Sequence, residues 1–118
     1  MLNSKDKGVL LQIIKRCKRI EDKITCIELS DFSNNDDLKE IISFNIFQIG
    51  ELSSKLSKEF VEKYNKVPWN LIKGMRNRIV HGYDSIDIEI IWNTALDSIS
   101  ELKEYCIFIL ENNKENIY

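Results

Sequence analysis

Histidine, proline and glycine are scarce in this chain: 118 residues hold one histidine, one proline and four glycines. Cys17, Cys26 and Cys106 are odd in number and far apart, which argues against a disulfide framework and against paired-cysteine zinc ligation. Set among apolar residues at helical spacing, they are expected as buried free thiols. The sequence has no glycine-rich phosphate loop, no carboxylate pair at metal spacing, and no serine or cysteine visibly placed beside a base. Metal-dependent nucleases and nucleotidyltransferases are therefore poor fits, and neither a metal nor a cofactor is expected. No run approaches the ~20 apolar residues that span a bilayer, and no basic start leads into an apolar segment. The expected location is the cytoplasm. Strand-type alternation, internal repeats and low-complexity linkers are also missing.

With 43% hydrophobic and 31% charged residues, the chain is expected to form one globular domain over residues 1–118. Apolar residues recur at helical spacing from Val9 to Ile27, predicting a first helix over about residues 4–29. A polar turn at residues 31–35 follows, with Ser33 or Asn35 as cap and Asp36 and Asp37 in the first turn of a second helix. The middle of that helix, residues 41–49, is apolar on more than one face. It is either the central helix of a bundle or also a subunit interface. Gly50 lowers helix propensity by about 1 kcal/mol relative to alanine, which suggests a close helix crossing. Glu51 beside it is a surface carboxylate by default, or a partner for a basic residue further on.

The second helix is expected to fray over residues 57–64. Pro68 then suits the first turn of a short third helix, with Trp69, Leu71, Ile72, Met75, Ile79 and Val80 on its buried side and Trp69 as a core anchor. Asp87 is a plausible cap for a fourth helix running through Ile91, Trp92, Ala95, Ile99, Leu102, Cys106 and Leu110, ahead of a frayed tail. The predicted fold is all-α, an up-and-down four-helix bundle with a short third helix.

Charge singles out one stretch. Residues 63–83 contain five basic side chains and no acidic one, whereas the remainder carries twelve basic and nineteen acidic, a net charge of −7. The sole histidine, His81, lies inside this stretch in the sequence Met-Arg-Asn-Arg-Ile-Val-His-Gly-Tyr of residues 75–83. His81 has an ordinary pKa near 6.5 and can exchange protons at neutral pH, while Arg76 and Arg78 offer donor forks suited to phosphate. Such local concentration suits one anionic ligand such as a phosphodiester, or is simply a solvated basic helix end. On a straight helix Arg76 and His81 point roughly 140° apart, while Asn77 and His81 share a face. A loosening at His81-Gly82 would bring the groups closer, since glycine readily ends helices.

Metal-free RNA cleavage fits these groups, because the RNA supplies its own nucleophile, the 2′-hydroxyl, and the protein needs only proton transfer and charge stabilisation. His81 can act as base or acid, and Arg76 can hold the phosphoryl oxygens. Both an acid and a base are wanted from one histidine, so two copies of the segment in a symmetric homodimer would complete the site. The residues alone equally allow His81 to serve only the last carbonyls of its helix.

Arg76-Asn77 followed by His81-Gly82-Tyr83 resembles the Arg, four residues, His, any residue, Tyr signature of the HepT branch of HEPN-domain proteins. Ile49-Gly50-Glu51, Val67-Pro68-Trp69, Ile86-Asp87 and Trp92 are similar to that branch's pattern too, so the likeness runs over roughly residues 5–110. The resemblance implies a HEPN-like helical bundle acting as a homodimeric, metal-independent endoribonuclease toxin. Arg76 and His81 would be its catalytic pair and Asn77 a supporting polar residue. It also implies an MntA-type nucleotidyltransferase antitoxin that transfers AMP from ATP to Tyr83. RNA, that antitoxin and a second copy are the implied partners, with no role for DNA or a membrane. Two other readings remain: a non-catalytic substrate-binding or acceptor subunit of a minimal nucleotidyltransferase, and a purely structural dimerisation bundle.

Overall fold

A computed structural model describes residues 2–67, 69, 72, 74 and 88–113. The described residues form helices α1 (Ser4–Ile24), α2 (Leu29–Ser33), α3 (Asp36–Ser53), α4 (Lys58–Lys63), α5 (Ile88–Asn93) and α6 (Ile99–Asn112). A π-helical turn, Thr94–Ser98, joins the last two. There is no strand among the described residues. The fold is an all-helical bundle, as the apolar periodicity predicts.

Each of the first three major helix starts has a cap chosen by local chemistry. Asn3 accepts from the Asp6 amide at the start of α1, Asn35 from the Leu38 amide at α3, and Ser57 from the Phe60 amide at α4. These side chains satisfy amides that have no partner inside the helix. Asp36 and Asp37 follow Asn35 at the positive end of the α3 dipole, as expected from the sequence.

Three boundaries differ from the sequence expectation. The first helix stops at Ile24, short of residue 29, because Thr25 turns extended and Cys26 adopts a positive φ of 65°. With the Ile27 amide bonded to the Ile24 carbonyl, this is a type II turn. The expected polar turn at residues 31–35 instead holds α2, whose Phe32 is fully buried. Nor is residues 57–64 a frayed end: Ser57 caps a separate helix, α4, and Phe60 anchors it. Trp69, Ile72 and Gly74 are helical, in keeping with a third helix after Pro68, but most of that expected helix lies outside the described residues.

Helix α1 packs between α3 and α6, and both run antiparallel to it. One end is fixed by Asp6, which accepts from the Ser57 amide at 2.9 Å and the Ser57 hydroxyl at 2.6 Å. The direction of α6 follows from Ser100 and Lys103 meeting Glu21 near the end of α1, while Asn113 reaches the Tyr64 hydroxyl at the opposite end. Leu10, Ile13, Cys17 and Ile20 of α1, Ile42 and Ile49 of α3, and Leu102, Cys106 and Ile109 of α6 fill the space between. Asn45 is buried on the α1 side of α3, with its Oδ1 accepting from Arg16 and its Nδ2 donating to the Ile41 carbonyl.

Asp6 is the polar tie across this core: its carboxyl is 2% exposed and also accepts from Asn3 Nδ2. Replacing it with alanine leaves the Ser57 amide and hydroxyl without their acceptor. Asp6→Ala is expected to cost about 3 kcal/mol, from the usual cost of stranded buried donors to a charged partner, measured by urea unfolding. Cys26→Gly should act oppositely, raising stability by about 0.5–1 kcal/mol in the same assay. Glycine removes the left-handed strain of a residue with a Cβ, offset in part by a freer unfolded chain.

Candidate active site

Arg76, Asn77, His81 and Tyr83 all lie outside the described residues, as do Arg78, Gly82 and Asp87. The described residues define the two frames on either side of that stretch. On the N-terminal side, α4 and the residues after it form an aromatic knot. Phe60 packs on Tyr64 with ring centroids 4.8 Å apart and on Trp69 at 5.9 Å. The Trp69 indole N–H donates to the Tyr64 carbonyl at 3.1 Å, and its ring is 2% exposed. Trp69 is thus the core anchor expected from the sequence, with its one polar atom satisfied.

On the C-terminal side, α5 resumes at Ile88 and buries Ile91 and Trp92. Trp92 packs on Phe32 of α2 at 5.2 Å, so the short helix the sequence reading missed is the seat for this frame. The Trp69 knot sits at the Asp6 end of the bundle and the Trp92 frame at the other. Within the π-helical turn, the Thr94 hydroxyl donates to the Ile90 carbonyl, while Ala95 faces the core. Lys63 and Lys66, the first two cations of the basic stretch, are exposed beside the knot, with Lys63 Nζ 5.4 Å from the Tyr64 ring centre.

Glu51, weighed from the sequence as a surface carboxylate or a partner of the basic segment, is half-buried on α3. Gly50 and Ser43, seven residues apart on one side of α3, are both buried, and the Ser43 hydroxyl has no hydrogen-bond partner. Nothing in the sequence marks Ser43, since serine is as common on exposed helix faces.

The thiols do not provide a nucleophile in the core. Burial pushes Cys106 up to about 12 and raises Cys17 as well, with Cys106 and Glu21 nearby adding to the rise. Both are fully buried, as expected. Cys26 is the exception: it is exposed, because it occupies the turn after α1 rather than a helix. Among the described residues no group of three or more His, Cys, Asp or Glu side chains could hold a metal ion. No helix among them is long and apolar enough to cross a membrane.

One ion pair ties the far end of the bundle. Lys103 Nζ and the Ser100 hydroxyl each donate to Glu21 at 2.7 Å. Burial works to raise the Glu21 pKa, but hydrogen bonds from Lys103 and Ser100 outweigh it and hold the carboxyl below its usual value. The same contact raises Lys103. A depressed carboxyl contributes stability above its unfolded pKa and loses it as pH falls through the folded value.

The family model described as ribonuclease HepT-like matches residues 13–109. The chain is 35% identical to a protein named as a candidate RNase in Caldanaerobacter subterraneus subsp. tengcongensis, over 89% of this chain and 94% of that one. A protein named as a candidate RNase in Methanocaldococcus jannaschii is 31% identical over 93% of each chain. One named as a probable ribonuclease HepT in Thermococcus cleftensis is 26% identical, over 82% of this chain and 88% of its own. No solved structure matches the chain. These likenesses place an all-helical bundle among RNA-cleaving enzymes. The chain belongs to the HepT-like ribonuclease family, a branch of the HEPN superfamily, and is a ribonuclease.

Glu21→Gln is expected to lower stability by about 0.5–1 kcal/mol at neutral pH, the range for a pair still in contact with water. The difference from wild type should shrink as pH falls below the ordinary glutamate range, about 4.3, toward the depressed value. Thermal denaturation of both proteins across that range measures it.

Proposed function

We propose that this ribonuclease is a metal-independent endoribonuclease toxin whose composite site forms between two copies of residues 75–83. The carrying observation is the only histidine of the chain, placed with Arg76 and Tyr83 in a stretch of five cations and no acid. Membership of the HepT-like ribonuclease family supports the same reading.

His81 of one copy takes the proton from a 2′-hydroxyl, whose oxygen then bonds to the adjacent phosphorus. The bond from phosphorus to the 5′-oxygen breaks, and His81 of the other copy, protonated, gives its proton to that leaving oxygen. Arg76 donates to the phosphoryl oxygens while negative charge builds on them, and Asn77 supports the pair as a neutral hydrogen-bonding group. The products are a 2′,3′-cyclic phosphate and a 5′-hydroxyl. DNA lacks the 2′-hydroxyl and is not cut by this route.

Control falls to Tyr83. An MntA-type nucleotidyltransferase antitoxin would catalyse attack of the tyrosine oxygen on the α-phosphorus of ATP, releasing pyrophosphate and leaving AMP in phosphodiester linkage. Two residues from His81, that adduct adds bulk and a negative charge to a positive cleft, opposing RNA both sterically and electrostatically. The cytoplasm is where such a toxin meets its RNA and its ATP-using antitoxin.

Purified protein, with unmodified Tyr83 confirmed by mass, should cut a mixed cellular RNA pool in EDTA and leave 2′,3′-cyclic phosphate ends. His81→Ala should lower the rate by about a hundredfold or more, the usual contribution of a positioned acid or base. Tyr83→Phe should keep cleavage and lose adenylylation by the antitoxin. Cleavage that persists in His81→Ala would refute the catalytic assignment. Wild type inactive on every RNA, yet still modified at Tyr83, would instead make the chain a non-catalytic acceptor subunit.

A further inference from the structure

Helix α3 carries more apolar surface than the core takes up. Ile42, Ile46, Ile49 and Leu52 turn inward, yet Ile41 remains 38% exposed and Phe44 52% exposed. Asp37, Ile41, Phe44, Gln48 and Lys55 fall within a narrow sector of the helix, because steps of three, four and seven residues return to one side. The stripe ends in opposite charges. Asp37 lies in the first turn of α3 and Lys55 two residues past its end, and both are exposed. Neither has an ion-pair partner within its own chain among the described residues, whereas the neighbouring Asp36 is paired with Lys39 at 3.0 Å.

We propose that this stripe is the contact between two copies of the chain, with α3 packed antiparallel on α3 of the partner subunit. The two-fold axis passes between Phe44 and Gln48, which sets Asp37 opposite Lys55 of the partner subunit and Lys55 opposite the partner's Asp37. A stripe that is acidic at one end, apolar in the middle and basic at the other is complementary to itself under that operation. A parallel pairing sets like charges against each other. Helix-dipole preferences account for an acid at the start and a base at the end of α3, but not for the exposed Phe44 and Ile41 between them.

The apolar centre is also held ready. The Arg16 guanidinium lies 5.6 Å from the Phe44 ring centre and donates to Asn45 Oδ1 at 3.2 Å, linking an exposed aromatic to a buried polar contact. An anchor already ordered in the single chain loses less freedom when it is covered. The assignment rests on the two-copy site proposed above and names the face that would bring the copies together.

Sedimentation equilibrium on wild type, Phe44→Glu, Asp37→Lys, Lys55→Asp and the Asp37→Lys/Lys55→Asp double variant tests it, with circular dichroism confirming unchanged helix content. Wild type should be a dimer. Phe44→Glu should weaken dimerisation by about a hundredfold, as for a central interface anchor. Each single charge reversal should weaken it about tenfold, because the symmetry repeats the repulsion twice, and the double reversal should return it to within about threefold of wild type. A monomeric wild type, a folded Phe44→Glu that still dimerises normally, or a double variant no better than the singles overturns the interface. RNA cleavage separates this from the catalytic reading. A dimer that obeys these substitutions but cuts no RNA leaves the interface standing without the catalytic site. RNA cleavage by a dimer indifferent to them leaves the catalytic site and overturns the interface.

Discussion

The bundle depends on the grip of one carboxyl group on one serine. Asp6 stands in the first turn of α1 and holds both the amide and the hydroxyl of Ser57, 51 positions away in sequence. The same serine caps α4, and α4 supplies Phe60, on which Tyr64 and Trp69 stack. A cap, a cross-chain tie and an aromatic knot are therefore one connected unit. It sets where the chain stands on entering the stretch that carries Arg76 and His81. Because the Asp6 carboxyl is buried, its hydrogen bonds have no water to compete with them, and their geometry is correspondingly strict.

At the other end, the constraint is apolar. The turn after Ile24 and the short helix α2 exist to bring Phe32 inward, where Trp92 closes over it. Glu21, held by Ser100 and Lys103, adds a polar tie at the same level. The basic stretch is thus framed between two aromatic anchors that belong to opposite ends of the molecule. A ribonuclease that relies on the nucleophile within its RNA needs this kind of scaffold, since its work is the placement of a few proton-transferring and cationic groups.

Charge is distributed to match. The basic run of residues 63–83 contrasts with residues 88–112, which carry five acidic side chains and one lysine, and that lysine is taken up by Glu21. Phosphate is drawn toward one part of the surface and repelled from another, so an acidic protein can still attract RNA locally. The core thiols are kept out of the chemistry by burial, which keeps Cys17 and Cys106 protonated.

The helical class, the caps at Asn35 and the buried roles of Trp69, Ile91 and Trp92 were legible in the sequence. Each follows from spacing of 3.6 residues or from a side chain bonding its own backbone, and both are local properties. The Arg76, Asn77, His81 and Tyr83 constellation was legible only as a motif and as a charge concentration, and its geometry lies outside the described residues. What needed the tertiary structure was non-local or compensated by packing. Asp6 looks like any first-turn acid until Ser57 is brought to it. Ser57 and Phe60 look like a fraying helix end until a core receives the ring. Cys26 enters a left-handed turn that no local preference favours, because burying Phe32 requires the chain to reverse there. Composition and periodicity determined that the chain forms a helical bundle with one cationic, histidine-bearing stretch. Only long-range packing decided where its helices stop, because those limits depend on contacts between residues far apart in the chain.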